Sequence, residues 1–181
     1  MKLNLWLFKH PEIFRWMANI YPPVFFSGIK VTYLSPDYTE CEVKLKNWPG
    51  TRNANGTQFG GSLFSMSDIV YGSMLFGILG PEKYFVWDKK SRIEFLSPGR
   101  GQVRMVCKIS KQDIEEIKTK TAKGDKYFPT FTATIYDRKN NAVAIIYRTL
   151  YVRLRPEYRK DTKNIIPPCL LYTSDAADER S

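Results

Sequence analysis

The chain has 181 residues, 43% hydrophobic and 14% aromatic, with a formal net charge of +10. That length supports one domain with its own core, and the composition is that of a globular protein. No apolar run reads as long enough to span a membrane. No nucleic-acid motif is present and the Lys and Arg residues are dispersed, so no nucleic acid is expected as partner. The three cysteines, Cys41, Cys107 and Cys169, and the single histidine, His10, lack metal-ligand spacing, so no metal site is expected. Few unpatterned cysteines suit a reducing cytoplasm, the expected location.

Met1 to Tyr21 reads as an amphipathic helix, interrupted or re-entered at Pro11 and stopped by Pro22-Pro23. Leu3, Leu5, Trp6, Leu7, Phe8, Ile13, Phe14, Trp16, Met17 and Ile20 are its apolar residues. Charges interrupt the apolar stretch and no small-residue cleavage site follows, so it does not read as a signal peptide. Two roles are open. The helix packs across a sheet edge or the mouth of a ligand tunnel, the favoured reading, or it rests on a membrane surface.

Gly28 to Lys46 reads as a β-hairpin: Ile29, Val31 and Tyr33 alternate, Ser35-Pro36-Asp37 turns, and Cys41, Val43 and Leu45 alternate again. A loop rich in Asn and Gly follows, with Asn53, Asn55 and Gly56. A helix then runs over about 60–79, begun by Thr57 or Gln58 and ended by Gly80-Pro81. Most of its circumference is apolar, so it is expected to be buried. Its remaining stripe is Gly61, Ser65, Asp68 and Gly72, spaced to share one line. Asp68 is thus a carboxylate projecting from a buried helix, either paired with a neighbour or functional. Gly60 and Gly61 leave backbone N–H groups at the helix start open to a ligand oxygen.

Four further strands are expected: Tyr84 to Leu96, Val103 to Ile109, Tyr127 to Asp137 and Ala142 to Leu154. The third and fourth join across Arg138-Lys-Asn-Asn141. The lysine-rich segment 112–124 reads as an exposed connection with a short helical turn at Asp113 to Lys118. An antiparallel sheet wrapped about one helix satisfies this order, an α+β arrangement.

Asn53, Gly56-Thr57, Gly60-Gly61, Leu63-Phe64-Ser65 and Asp68 together resemble the central-helix motif of hotdog-fold acyl-CoA thioesterases, particularly the phenylacetyl-CoA type. With Val86-Trp-Asp-Lys89 and Ile93-Glu-Phe-Leu-Ser-Pro-Gly-Arg-Gly101, residues 28–154 are similar to the DUF4442 proteins of that superfamily. The resemblance implies a hotdog fold over 28–155, with the N-terminal helix at 1–27 as an addition and 156–181 as a tail. It implies a homodimer or homotetramer with its site at the subunit interface, acting on acyl-CoA or acyl-carrier thioesters without a cofactor. Coenzyme A carries phosphates, so the positive charge does not decide among an anionic ligand, an anionic membrane and nucleic acid.

On that resemblance the N–H of Gly61 holds the thioester carbonyl, and Asp68 is general base or nucleophile. Asn53 faces the acyl group or is an ordinary turn residue. Gly60, Ser65, Phe59, Asn55 and Trp87 belong to the substrate-binding side, with Ser65 orienting water. The triplet Trp87-Asp88-Lys89 reads as a strand-edge ion pair or as a contact with pantetheine or phosphate. Phe59 and Asn55 stand where the phenylacetyl type carries histidine. This departure keeps open a non-catalytic acyl- or lipid-binding module, and a third reading in which the helix is merely core. A hotdog dehydratase fits less well, because that branch uses a histidine and His10 is far from the motif. Finally, Cys169 to Glu179 resembles the conceptual translation of a sequencing-library adapter, so 169–181 is expected to stand outside the fold.

Overall fold

Six strands form one antiparallel sheet: β1 (Ile29–Leu34), β2 (Glu40–Leu45), β3 (Tyr84–Phe95), β4 (Val103–Lys108), β5 (Thr130–Tyr136) and β6 (Ala142–Leu154). The computed structural model describes residues 5–159. The tail read as adapter therefore lies outside the described residues. The strand order is β1-β2-β4-β5-β6-β3, so β1 and β3 are the edges. Period-two alternation fixes the faces. Cys41, Val43 and Leu45 of β2 stand opposite Cys107, Met105 and Val103 of β4, and all six are buried. The fold class is the expected one.

The helix over this face comes in two pieces, α4 (Gly60–Ser65) and α5 (Val70–Leu79), where the sequence predicts one. Between them the bonds tighten to i→i+3: Ser67 N–H donates to Phe64 O at 3.3 Å and Asp68 N–H to Ser65 O at 3.2 Å. The backbone stays helical through Met66 and Ile69, so the axis continues while the hydrogen bonding changes at Asp68. The helix starts at Gly60, with Phe59 extended before it, and not at Thr57 or Gln58. Gln58 is buried instead, its amide donating to Lys46 O and Gly101 O, which ties the loop to the turn after β3. Residues 60–79 also have the length and apolar composition to cross a membrane, contrary to the sequence reading. Their apolarity is that of a core helix: Leu63, Met66, Val70, Tyr71, Met74, Leu75 and Leu79 are buried.

The N-terminal segment forms α1 (Leu5–Phe8), α2 (Pro11–Ile20) and α3 (Pro22–Phe26). Pro22-Pro23 starts a helix here as well as ending one, because proline suits the first helical turn. α2 lies along the edge strand β1. Asn19 completes that edge: its amide donates to Val31 O at 2.9 Å and its oxygen accepts from Val31 N–H at 2.8 Å. The predicted turn at 113–118 is a full helix, α6 (Lys111–Thr121). Ser110 and Asp113 form a reciprocal cap at its start, and Ile117 and Thr121 are buried.

Candidate active site

The site is built around a charge on the inward phase of β6. Ile146, Leu150 and Val152 point into the core, and Arg148 lies on the same phase, only 2% exposed. Its Nη1 lies 3.2 Å from Asp68 Oδ1 and 3.1 Å from Asp88 Oδ2, and donates to Ser91 Oγ at 2.9 Å. Its Nε donates to Ser67 Oγ at 2.9 Å, and that hydroxyl donates to Phe64 O. The guanidinium also sits 5.1 Å from the Phe64 ring centroid. Nη2 is buried without a hydrogen-bond partner among the described residues. β3, β6 and the α4–α5 junction thus meet at one cation. Two carboxylates offset the cost of burying it.

The carboxylates differ. Asp68 is not buried as predicted; its side chain is 73% exposed. It sits where the helix tightens, with Arg148 beneath it and solvent above. Asp88 is 32% exposed. Burial holds its carboxyl above the ordinary carboxylate range; Arg148 pulls it back down and the charge on Asp68 pushes it up.

Two cavities flank α4. One, of about 390 Å³, runs between α3 and the central helix and is lined by Tyr21, Pro23, Val24, Ser27, Ile29, Phe64, Ser65, Asp68 and Ile69. The other, about 420 Å³ and more open, is lined by Asn53, Thr57, Gln58, Gly60, Leu63 and residues 95–99. The predicted residues therefore divide: Ser65 and Asp68 share the first cavity, Asn53 and Gly60 the second.

Gly61 lies between these groups, its N–H in the first turn of α4, where no intrahelical acceptor exists. The Phe59 ring covers it so closely that a Cβ on Gly61 would stand 2.5 Å from Phe59 Cε1. Phe95 stands over Gly60 in the same way, its Cζ 3.0 Å from the place of a Cβ. Ser65 spends its proton on the backbone, donating to Gly61 O at 2.9 Å. Asn53 serves its own loop: Oδ1 accepts from Asn55 N–H, Thr57 N–H and Thr57 Oγ, while Nδ2 donates to Thr57 Oγ1 at 2.9 Å. Asn55 is exposed on that loop and lines neither cavity.

Trp87 lines neither cavity. Val86 is in the core and Asp88 meets Arg148, so alternation turns Trp87 to the other face of the sheet. There it stacks on Tyr151 at 4.0 Å between centroids. Asp88, read as one half of a surface ion pair or a ligand contact, belongs instead to the Arg148 cluster. Arg148 itself was missed, though a signal existed: an arginine in phase with Ile146 and Leu150 on a strand needs an acidic partner.

Among solved structures, a Pseudomonas aeruginosa protein of unknown function, PA5026, called a probable thioesterase, matches with TM-score 0.73 and 18% identity, over 80% of this chain and 95% of that one. Thioesterase HI1161 of Haemophilus influenzae matches with TM-score 0.61 and 14% identity, over 80% and 90%. The E. coli PaaI protein from the phenylacetic acid degradation operon matches with TM-score 0.58 and 16% identity, over 82% and 96%. At these identities the likeness establishes the hotdog fold. Among curated proteins none matches. The family model described as a domain of unknown function, DUF4442, matches residues 11–152, most of the chain, and the protein belongs to that family.

Proposed function

We propose that the protein hydrolyses acyl thioesters, with Asp68 as general base. The observation that carries this reading is the Arg148 cluster: a buried guanidinium holds an exposed carboxylate at the wall of a cavity, about two helical turns from backbone N–H groups with no helical acceptor. Asp68 takes a proton from water, and the oxygen attacks the thioester carbonyl carbon. Gly61 N–H stabilises the oxyanion at the positive end of α4. The C–S bond then breaks and the thiolate recovers the proton from Asp68. Asp88 shares Arg148 with Asp68 and remains the guanidinium's counter-charge while Asp68 carries the proton.

The substrate class is an acyl-CoA or acyl-carrier thioester, and the working unit is a homodimer. Phe59, Phe95 and Leu96 are exposed around Gly60 and Gly61 and β3 is an unpaired edge, which supports an interface beside the α4 loop. A partner there would also border the second cavity, with Asn53 and Gly60. A stable monomer by light scattering at micromolar concentration would remove the shared-site arrangement.

A second reading, a non-catalytic acyl-binding module, is favoured by one observation: the apolar Phe59 ring covers Gly61. Thiol release over a panel of acyl-CoA chain lengths separates the two. Release abolished by Asp68→Asn supports the hydrolase. Binding without release, unchanged in order of chain preference by Asp68→Asn, supports the module.

A further inference from the structure

We infer that α2 and α3 form a docking surface for an anionic lipid bilayer, beside the mouth of the Asp68 cavity. α2 has two apolar faces. One is spent on the fold: Ala18 is buried, Phe14 packs against Phe8 at 5.0 Å between centroids and edge-on against Tyr38 at 6.1 Å, and Asn19 ties the helix to Val31. The other carries Ile13, Trp16, Met17 and Ile20, spaced to make a single stripe, and each is between 38% and 61% exposed. Past Pro22 the stripe continues into Phe25 and Phe26, the latter 70% exposed. This much exposed apolar side chain on two successive helices of a folded chain marks an interaction site.

Its chemistry favours a membrane surface. Trp16 and Tyr21 are amphipathic rings of the type that settles at the headgroup level. Lys46 Nζ lies 6.0 Å from the Phe25 ring centroid, placing a cation at the edge of the apolar patch. Among the described residues of this segment Lys9 and Arg15 stand against one acid, Glu12, which pairs with Arg15 at 2.8 Å, on a chain of net charge +10. Such a surface is attracted to anionic headgroups. The position fits as well. Tyr21, Pro23 and Val24 border the apolar patch on one side and line the Asp68 cavity on the other. An acyl chain in the leaflet facing the docked protein reaches that cavity without crossing water. This last step alone rests on the hydrolase reading.

The test is co-sedimentation of the full chain with vesicles of phosphatidylcholine containing phosphatidylglycerol, against vesicles of phosphatidylcholine alone. Light scattering and thiol release from a soluble short-chain acyl-CoA accompany it. Wild type is expected to bind the anionic vesicles and to be released by salt. Trp16→Glu with Phe26→Glu is expected to weaken binding by roughly tenfold or more, with oligomeric state, melting and soluble turnover unchanged. Loss of vesicle binding without loss of melting temperature supports the surface. Equal binding to both vesicles, or none to either, overturns it. So does a double variant that falls apart from a wild-type oligomer, because the stripe would then be covered by a second copy. Vesicle binding without thiol release removes the hydrolase reading and leaves the docking surface standing. Thiol release without vesicle binding does the reverse.

Discussion

Arg148 Nη1 lies 3.2 Å from Asp68 Oδ1, joining the one buried charged side chain among the described residues to a carboxylate that is mostly in solvent. The pair crosses from the sheet to the central helix at the point where the helix changes its hydrogen bonding. It fixes one oxygen of Asp68 and leaves the rest of the carboxylate facing the cavity.

Asp68→Asn keeps the shape and removes the charge. Thiol release is expected to fall by about 10²–10⁴-fold if Asp68 is the base, with acyl-CoA affinity similar or higher. Melting should change little, because the side chain is mostly exposed. A variant as active as wild type would take Asp68 off the catalytic list.

Arg148→Met is expected to destabilise the fold by about 3 kcal/mol, at the lower end for a broken buried ion pair because Asp68 can turn to water. Asp88, Ser67 and Ser91 lose their common donor. Urea denaturation of the two proteins measures it. A loss below about 0.5 kcal/mol, the range of ordinary surface changes, would mean the cluster holds nothing together.

Asp88→Asn tests the shifted carboxyl. Burial raises the folded pKa of Asp88 above its ordinary 3.8, so the folded state binds this proton more tightly than the unfolded chain. Its contribution to stability is full below 3.8 and is lost as pH rises through the raised value. The stability of wild type relative to Asp88→Asn is therefore expected to decline over that window. Denaturation of both proteins at a series of pH values reads the slope, and a rise instead of a decline contradicts the assignment.

Gly77→Ala is expected to cost about 1–3 kcal/mol through overpacking. A Cβ there would stand 2.2 Å from the Tyr38 ring, which is buried on a turn with positive φ and has no room to retreat. Tyr38→Phe is expected to be neutral or stabilising by up to about 1 kcal/mol, since the buried hydroxyl has no hydrogen-bond partner among the described residues. Thermal melts of the two variants should therefore move in opposite directions or leave Tyr38→Phe unchanged.

Local pattern was enough for the strands. Alternation along 29–34, 40–45 and 142–154 is a property of neighbouring residues, so those segments stand where the sequence puts them. The apolar run after Gly60, with its Gly80 stop, likewise identified the central helix, and the spacing of the small residues around Asp68 singled out that carboxylate. What pattern did not give was partnership. Arg148 is 80 residues from Asp68 and 60 from Asp88, and only the pairing of β3 with β6 under the helix brings the three together. The same pairing sends Trp87 to the far face and Asp88 to the near one. The helix itself separates Asn53 and Gly60 from Ser65 and Asp68 into two cavities. The surplus apolar face of α2 is also a tertiary fact: the sequence lists its apolar residues, but which of them remain outside depends on where Asn19 meets Val31. Periodicity fixes which side of an element a residue is on, and docking decides what that side meets.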